Sequence, residues 1–245
     1  MNMSFFSKWL KKRSEKIPSC SVVIAAAGSA QRMNGEDKLF LEINGAPVLA
    51  HTLSAFQKCD HISEIVIVVR ADRIEHAGRL CALFGIDKAT KIMNGGASRV
   101  ESVMNGVLAV SGKAQLIAIH DGARPCVDIS VINRAIEAAA KHCAAAPAIK
   151  VSSTIKRASA NVVVETVDRS DLFEIQTPQV FDADLIKAAL TNAIENSIDV
   201  TDDCMAAELI GVPVHLTEGA RTNIKITECE DIILAKALLG ELICE

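Results

Sequence analysis

Along this chain, short runs of β-branched and aliphatic residues alternate with stretches whose apolar positions return at helical spacing. Residues 21–27, 64–69, 89–93, 116–120 and 144–149 read as strands. Residues 47–56, 72–84 and 130–142 read as helices, with Pro47 suited to a first helical turn. Ser98-Arg99-Val100-Glu101 has the form of a capping box, and Val100, Val103, Met104, Val107 and Leu108 continue it at helical spacing. Strands that are followed in this way by helices leave few topologies open. The simplest is an α/β fold with a mostly parallel sheet covered by helices on both faces.

The rhythm breaks between residues 150 and 168. Residues 153–157 and 162–167 read as two strands joined at 158–161, a β-hairpin arm protruding from the body. Such an arm packs either on a second copy of the chain or over the chain's own site, and the sequence leaves both open. Beyond it come helices at 183–196 and 202–210, a strand at 213–216, and a final helix opened by a second box, Thr227-Glu228-Cys229-Glu230. No repeat, low-complexity tract or linker divides the chain, so residues 19–245 are expected to form one domain.

Composition narrows what such a domain does. Its 245 residues are enough for a substantial core, and with 3% aromatics that core has to be aliphatic and rich in alanine. A net charge of −4 gives no support to nucleic acid as a partner. The eight cysteines include no C-x-x-C pair and no adjoining histidine cluster, so they are expected to be reduced thiols in a cytoplasmic protein. Residues 1–18 form a basic tail in which Phe5, Phe6, Trp9 and Leu10 alternate with Lys8, Lys11, Lys12 and Arg13. Its apolar part is too short and interrupted for a signal peptide, and no apolar run is long enough to span a bilayer, so no membrane partner is expected.

The first strand runs into Ala26-Ala27-Gly28 and a polar loop that carries Arg32 and Lys38. Residues this small let a ligand approach the backbone, and fixed positive charge beside it suits a polyphosphate. Ligands of open parallel sheets bind beyond the carboxyl ends of the strands, where this loop lies. A dinucleotide fingerprint would need G-x-G-x-x-G and a Walker loop G-K-[ST]; neither is present. Asn94-Gly95-Gly96-Ala97-Ser98 follows the third strand on the same edge, and its glycines let backbone N–H groups face a ligand. His120-Asp121-Gly122-Ala123-Arg124-Pro125 follows the fourth. A carboxylate there suits Mg²⁺ and an arginine can grip a phosphate in a fork, although an Asp121–Arg124 ion pair is the plainer reading of that spacing alone. His120 is expected to point into the protein rather than to act as a base. Thr166-Val167-Asp168-Arg169, Gln176-Thr177-Pro178-Gln179, Thr201-Asp202-Asp203 and Asn223-Ile224-Lys225 complete the set, with Asp202 and Asp203 where helix caps belong.

In order and spacing these loops resemble the 2-C-methyl-D-erythritol 4-phosphate cytidylyltransferase family, over nearly the whole chain after Pro18. Residues 120–125, 166–169, 176–179 and 223–225 are the most specific pieces, whereas the Ala-Ala-Gly loop with its Arg and Lys is shared by many sugar nucleotidyltransferases. The resemblance implies a Rossmann-like three-layer sandwich, a homodimer formed through the 150–168 arm, and a divalent cation such as Mg²⁺. It implies the joining of CTP to methylerythritol phosphate, with release of pyrophosphate, in non-mevalonate isoprenoid synthesis. Arg32 and Lys38 would stabilise charge at the α-phosphate, and Arg169 and Lys225 would position the methylerythritol phosphate. Ala26, Ala27, Gly28, Gly96, Ser102 and Gly122 would hold the nucleotide, and Asp121 the metal. Arg124, Thr154, Thr177 and Thr201 would line the sugar-phosphate side. The chain departs from the family at Asp37, which precedes Lys38 where proline is frequent, and at Ala97, where some members carry an acidic residue near the cytosine. Two rival readings stay open: a ribitol 5-phosphate cytidylyltransferase with similar loops, and a non-catalytic nucleotide-binding protein on this fold.

Overall fold

The computed structural model describes residues 17–28 and 37–241. Nearly all of the expected basic tail, and Arg32, lie outside them. Strand β1 (Cys20–Ala26) is followed by a small hairpin, β2 (Glu42–Ile43) and β3 (Ala46–Pro47), and by helix α1 (Val48–Lys58). Then come β4 (Ile62–Val69), a 3₁₀ turn (Ala71–Arg73), α2 (Ile74–Leu83), β5 (Ala89–Asn94) and α3 (Arg99–Ala109). The alternation continues with β6 (Leu116–Asp121), α4 (Ile129–His142) and β7 (Ala144–Lys150). The arm is β8 (Ile155–Ser159) and β9 (Val162–Val167). The chain closes with β10 (Phe173–Ile175), β11 (Gln179–Asp182), α5 (Ala183–Glu195), α6 (Asp203–Leu209), β12 (His215–Glu218) and α7 (Cys229–Glu241).

The main sheet has the order β10-β7-β11-β6-β1-β4-β5, and β12 pairs with β7 as well. At its centre β1 has parallel neighbours on both sides, with Val23 opposite Val66 on β4 and Ile119 on β6. Successive side chains of β1 alternate between faces, as a strand requires. Val22 and Ile24 enter a core with Leu53 and Phe56 of α1, Leu80 of α2 and Ile136 of α4. Val23 enters a second core with Val103 and Val107 of α3 and with Leu185, Ile186 and Leu190 of α5. Each fully buried aliphatic side chain stabilises the fold by about 1.5–3 kcal/mol relative to an exposed one. Two covered faces give the expected Rossmann-like three-layer α/β sandwich.

The sheet is less parallel than the strand–helix rhythm suggests. Strand β11 is antiparallel and inserts between β6 and β7, with Val180 opposite Ala118 on one side and Ala145 on the other. Strand β10 also runs antiparallel to β7, while β12 is parallel to it with His215 opposite Ala145. Because β12 covers one side of β7, β10 and β11 follow one another along the other side. The cis peptide between Thr177 and Pro178 lies between them. These antiparallel strands are three and four residues long, too short for a local pattern to declare them. Strand β7 is itself unusual in composition, with Ala144, Ala145 and Ala146 wholly buried.

Local chemistry sets the element ends. Asn44 and Gly45 both have positive φ, 48° and 81°, which suits the tight β2–β3 turn. Ser98 caps α3 by accepting Glu101 N–H at 3.2 Å, and Glu101 Oε2 reaches back to Ala97 N–H at 2.8 Å, one residue further than a capping box places it. The box expected at Thr227 and Glu230 forms differently. Asp231 Oδ2 accepts Thr227 N–H (2.7 Å), Thr227 Oγ1–H (2.9 Å) and Glu228 N–H (2.9 Å), so the carboxylate one residue later does the capping. Among the described residues, no helix is long and apolar enough to cross a membrane.

Candidate active site

A cavity of about 490 Å³ opens beyond the carboxyl ends of β1 and β6. Its floor is Ala25, Ala26, Ala27 and Gly28, and the loops after β5 and β6 close over it. Those loops come close because they lack side chains at the contacts. A Cβ on Gly95 would lie 2.5 Å from Ala27 Cβ, and one on Gly122 would lie 3.0 Å from Ala26 Cβ. Ser102 Oγ accepts Gly96 N–H at 3.0 Å and donates to Ser98 O at 2.8 Å, pinning the β5 loop to the first turn of α3.

Charge is concentrated on the walls. Lys38 lines the cavity, and its Nζ donates to Ile226 O at 2.6 Å. Opposite lies Asp121, whose Oδ2 is met by Arg124 Nε at 3.1 Å and Lys225 Nζ at 3.2 Å. Burial alone would raise its pKa, but Lys225 and Arg124 hold the carboxyl down at about 2, so it is ionised at any working pH. Arg124 extends behind the wall, donating from Nη1 to Asn223 O at 2.7 Å. Asn223 in turn donates to Thr177 O at 2.9 Å. Thr177 Oγ1 accepts Asp121 N–H at 3.2 Å and lies 3.0 Å from His120 Nδ1. His120 is wholly buried, edge-on to Phe56 at 4.7 Å, and burial pushes its pKa down to about 3. It is a neutral support for the wall and does not line the cavity, in keeping with the inward orientation expected of it.

The site residues anticipated from sequence fall into three groups. Ala26, Ala27, Gly28, Lys38, Gly96, Ser102, Asp121, Gly122 and Lys225 all line the one cavity. Arg124 and Thr177 sit directly behind it and act on Asp121. Thr154, Arg169 and Thr201 are exposed and are not among its lining residues. Arg169 Nη1 donates to Ser152 O at the base of the arm, and Thr201 Oγ1 contacts Met205 Sδ at 3.7 Å. Arg32 lies outside the described residues. The cavity also contains Arg99, which the sequence reading passed over although a cation in the first turn behind a Gly-Gly loop was a usable signal. Its guanidinium forks onto the buried Asp203, with Nη1–Oδ1 at 3.0 Å and Nη2–Oδ2 at 2.6 Å. Gln179 Oε1 accepts Asp203 N–H and Cys204 N–H at 3.0 Å each, tying β11 to the start of α6.

No group of three or more His, Cys, Asp or Glu gathers for a metal among the described residues. Both cations that meet Asp121 do so at Oδ2, and the residue borders the cavity. The other carboxylate oxygen suits Mg²⁺, which usually binds one or two carboxylates together with substrate phosphates and water.

Comparison with known proteins adds a family to this geometry. The family model for 2-C-methyl-D-erythritol 4-phosphate cytidylyltransferase (IspD) matches residues 20–241. The enzyme of that name from Halalkalibacterium halodurans is 44% identical over 222 residues, covering 90% of this chain and 97% of that one. The one from Geobacillus kaustophilus is 39% identical, covering 91% and 98%. Among solved structures, 4-diphosphocytidyl-2C-methyl-D-erythritol synthase from Anaerococcus prevotii superposes with a TM-score of 0.81 at 31% identity, covering 91% of this chain and 96% of that one. The cytidylyltransferase from Thermus thermophilus gives 0.76 at 32% identity, covering 89% and 98%.

Proposed function

We propose that this chain, which belongs to the 2-C-methyl-D-erythritol 4-phosphate cytidylyltransferase family, carries out its reaction in the cavity beyond β1 and β6. The chain is a nucleotidyltransferase that joins CTP to methylerythritol phosphate in isoprenoid biosynthesis. A phosphate oxygen of methylerythritol phosphate attacks the α-phosphorus of CTP. The new P–O bond forms as the bond to the β-phosphate oxygen breaks, and pyrophosphate leaves with that electron pair. The nucleophile is already an anion, so no side chain has to remove a proton. Positioning and positive charge on the reacting phosphoryl group carry the rate.

The residues divide by place. Ala26, Ala27, Gly28, Gly96, Ser102 and Gly122 form the side-chain-poor surface on which the nucleotide lies. Lys38, with Arg32, stabilises charge at the α-phosphate. Lys225 positions the methylerythritol phosphate, with Arg124 and Thr177 holding Asp121 and its surroundings in place. Asp121 would hold Mg²⁺, which neutralises phosphate charge when bound. The observation that carries this reading is the convergence of a bare backbone floor with Lys38, Asp121 and Lys225 in a single cavity.

We further propose a homodimer made through the arm. Val162, Val163 and Val164 are consecutive and all exposed, so both faces of β9 present apolar surface. A dimer in which each arm carries Thr154 and Arg169 toward the other copy's cavity accounts for their exposed position. Cytoplasmic placement is proposed from the nucleotide substrate. The deciding experiment is pyrophosphate release from CTP, Mg²⁺ and methylerythritol 4-phosphate, with ribitol 5-phosphate and other nucleotides as controls. Release with ribitol phosphate would move the substrate assignment to the rival family, and binding of CTP without turnover on either sugar phosphate would restore the non-catalytic reading.

A further inference from the structure

The residue before Lys38 is gripped from a separate element. Asp37 Oδ2 forms ion pairs with Arg70, whose Nη2 is 3.2 Å away, and with Arg73, whose Nε is 3.4 Å away, and its side chain is 9% exposed. Both arginines lie just past the end of β4, and both are shared with Asp72, at 3.2 Å from Arg70 and 3.4 Å from Arg73. One turn further on, the His76 ring stacks on Phe40 with centroids 4.2 Å apart and planes 19° from parallel. The Arg73 guanidinium also lies over the Phe40 ring, 5.6 Å from its centroid. Arg70 just ahead of the 3₁₀ turn, Arg73 at its end and His76 in the first turn of α2 together make one ridge against residues 37–40.

That ridge holds the chain on either side of Lys38. Asp37 O accepts Phe40 N–H at 2.9 Å, and Asp37 Oδ1 accepts Leu39 N–H at 3.3 Å, closing a turn around the lysine. Leu39 is buried, and its carbonyl accepts Leu49 N–H at 2.9 Å. Leu39 and Phe40 therefore anchor the turn through packing, and Asp37 anchors its entrance through charge. Two guanidinium groups on one oxygen leave this carboxylate poorly placed to hold a metal, although Asp37 also borders the cavity.

We propose that Asp37 is a positioning residue for the reaction, setting the turn that carries Lys38 through its ion pairs with Arg70 and Arg73. The proposal rests on the reading of Lys38 as the cation that stabilises the transition state. Such a cation works over a narrow range of distance, and a misplacement near 1 Å can cost about 10²-fold in rate. The effect falls on kcat, because the nucleotide surface formed by the β1 and β5 loops is untouched.

The test is Asp37→Asn, which keeps the size of the side chain and the acceptor for Leu39 N–H but removes the charge. It is made in the natural chain and in a Lys38→Ala chain, and kcat and KM for CTP are measured by pyrophosphate release alongside thermal unfolding. The expected result in the natural chain is a fall in kcat of about 10-fold or more, with KM for CTP within about threefold. In the Lys38→Ala chain the same substitution has no further effect on kcat. Arg73→Gln approaches the link from the other side and reproduces the loss, which keeps the test open if Asp37→Asn folds poorly. Asp37→Glu, which retains the charge, recovers part of the rate. An unchanged kcat in folded Asp37→Asn and Arg73→Gln overturns the proposal, as does an equal loss with and without Lys38. If Lys38→Ala itself keeps its kcat, the reading of Lys38 has failed and the proposal with it. If Lys38→Ala is impaired while Asp37→Asn is not, only the role of Asp37 has failed.

Discussion

Arg99 and Asp203, 104 positions apart in sequence, meet in a two-pronged ion pair whose carboxylate is wholly buried while the guanidinium borders the cavity. Removing one partner leaves a buried charge uncompensated. Arg99→Met is therefore expected to cost about 3 kcal/mol or more of stability, read from urea unfolding. The double variant Arg99→Met with Asp203→Leu should recover much of that loss, since the isolated charge is gone. If the single variant unfolds at the same urea concentration as the natural chain, the pair does not support the fold.

Lys38→Ala is expected to lower kcat by about 10²–10³-fold while changing KM for CTP far less, because it removes charge that matters most at the transition state. Steady-state kinetics separate the two parameters. A raised KM with normal kcat would assign Lys38 to ground-state binding.

Acid should begin to weaken the fold just below neutral pH. Burial keeps His120 neutral, with a pKa of about 3, while the unfolded chain returns it to about 6.5. Between those values the unfolded state binds a proton that the folded state refuses, so stability rises with pH. The contribution is complete above about pH 6.5 and is lost toward pH 3, with a limiting slope of about 1.4 kcal/mol per pH unit. Asp121, held at about 2 against an ordinary 3.8, adds to this loss only in the more acidic range. Urea unfolding at pH 7 and pH 5 should show the loss, and His120→Asn should reduce it. A profile identical in both chains would rule out His120 as the source.

The arm offers a physical test of assembly. Val163→Asp places a charge in the exposed valine run of β9. Sedimentation should then give half the mass of the natural particle, and turnover should fall if Arg169 acts across the dimer. An unchanged mass would reject the arm as the contact.

Much of the fold and the floor of the site were legible in the sequence because both follow from local rules. The strand–helix alternation placed Ala26, Gly96 and Asp121 on one carboxyl edge, and the structure has them lining one cavity. What escaped was set by contacts distant in sequence. Nothing near Gln179 announces that its strand runs antiparallel between β6 and β7, and nothing near Asp37 points to Arg70. The cap of α7 was misplaced by one residue because three donors converge on Asp231, a geometry that the four-residue box at Thr227 does not describe. The Asn44–Gly45 turn, by contrast, is a local feature: Asn-Gly is the dipeptide that such a hairpin turn favours, and both residues have positive φ.

The alanines of β7 make one half of this protein unforgiving. Ala144, Ala145 and Ala146 have no exposed surface, and β7 is flanked by β12 on one side and by β10 and β11 on the other. Each presents only a methyl group to the helices and strands packed against it, so the alanines themselves have no side chain that can shift to make room. An added methylene on this strand would have to push apart layers that also seat Gln176, Thr177 and Gln179. The aliphatic half around β1 and β4 has larger side chains to rearrange. Sequence drift, natural or engineered, has its latitude in that half, while positions 144–146 behind the substrate wall are confined to small residues.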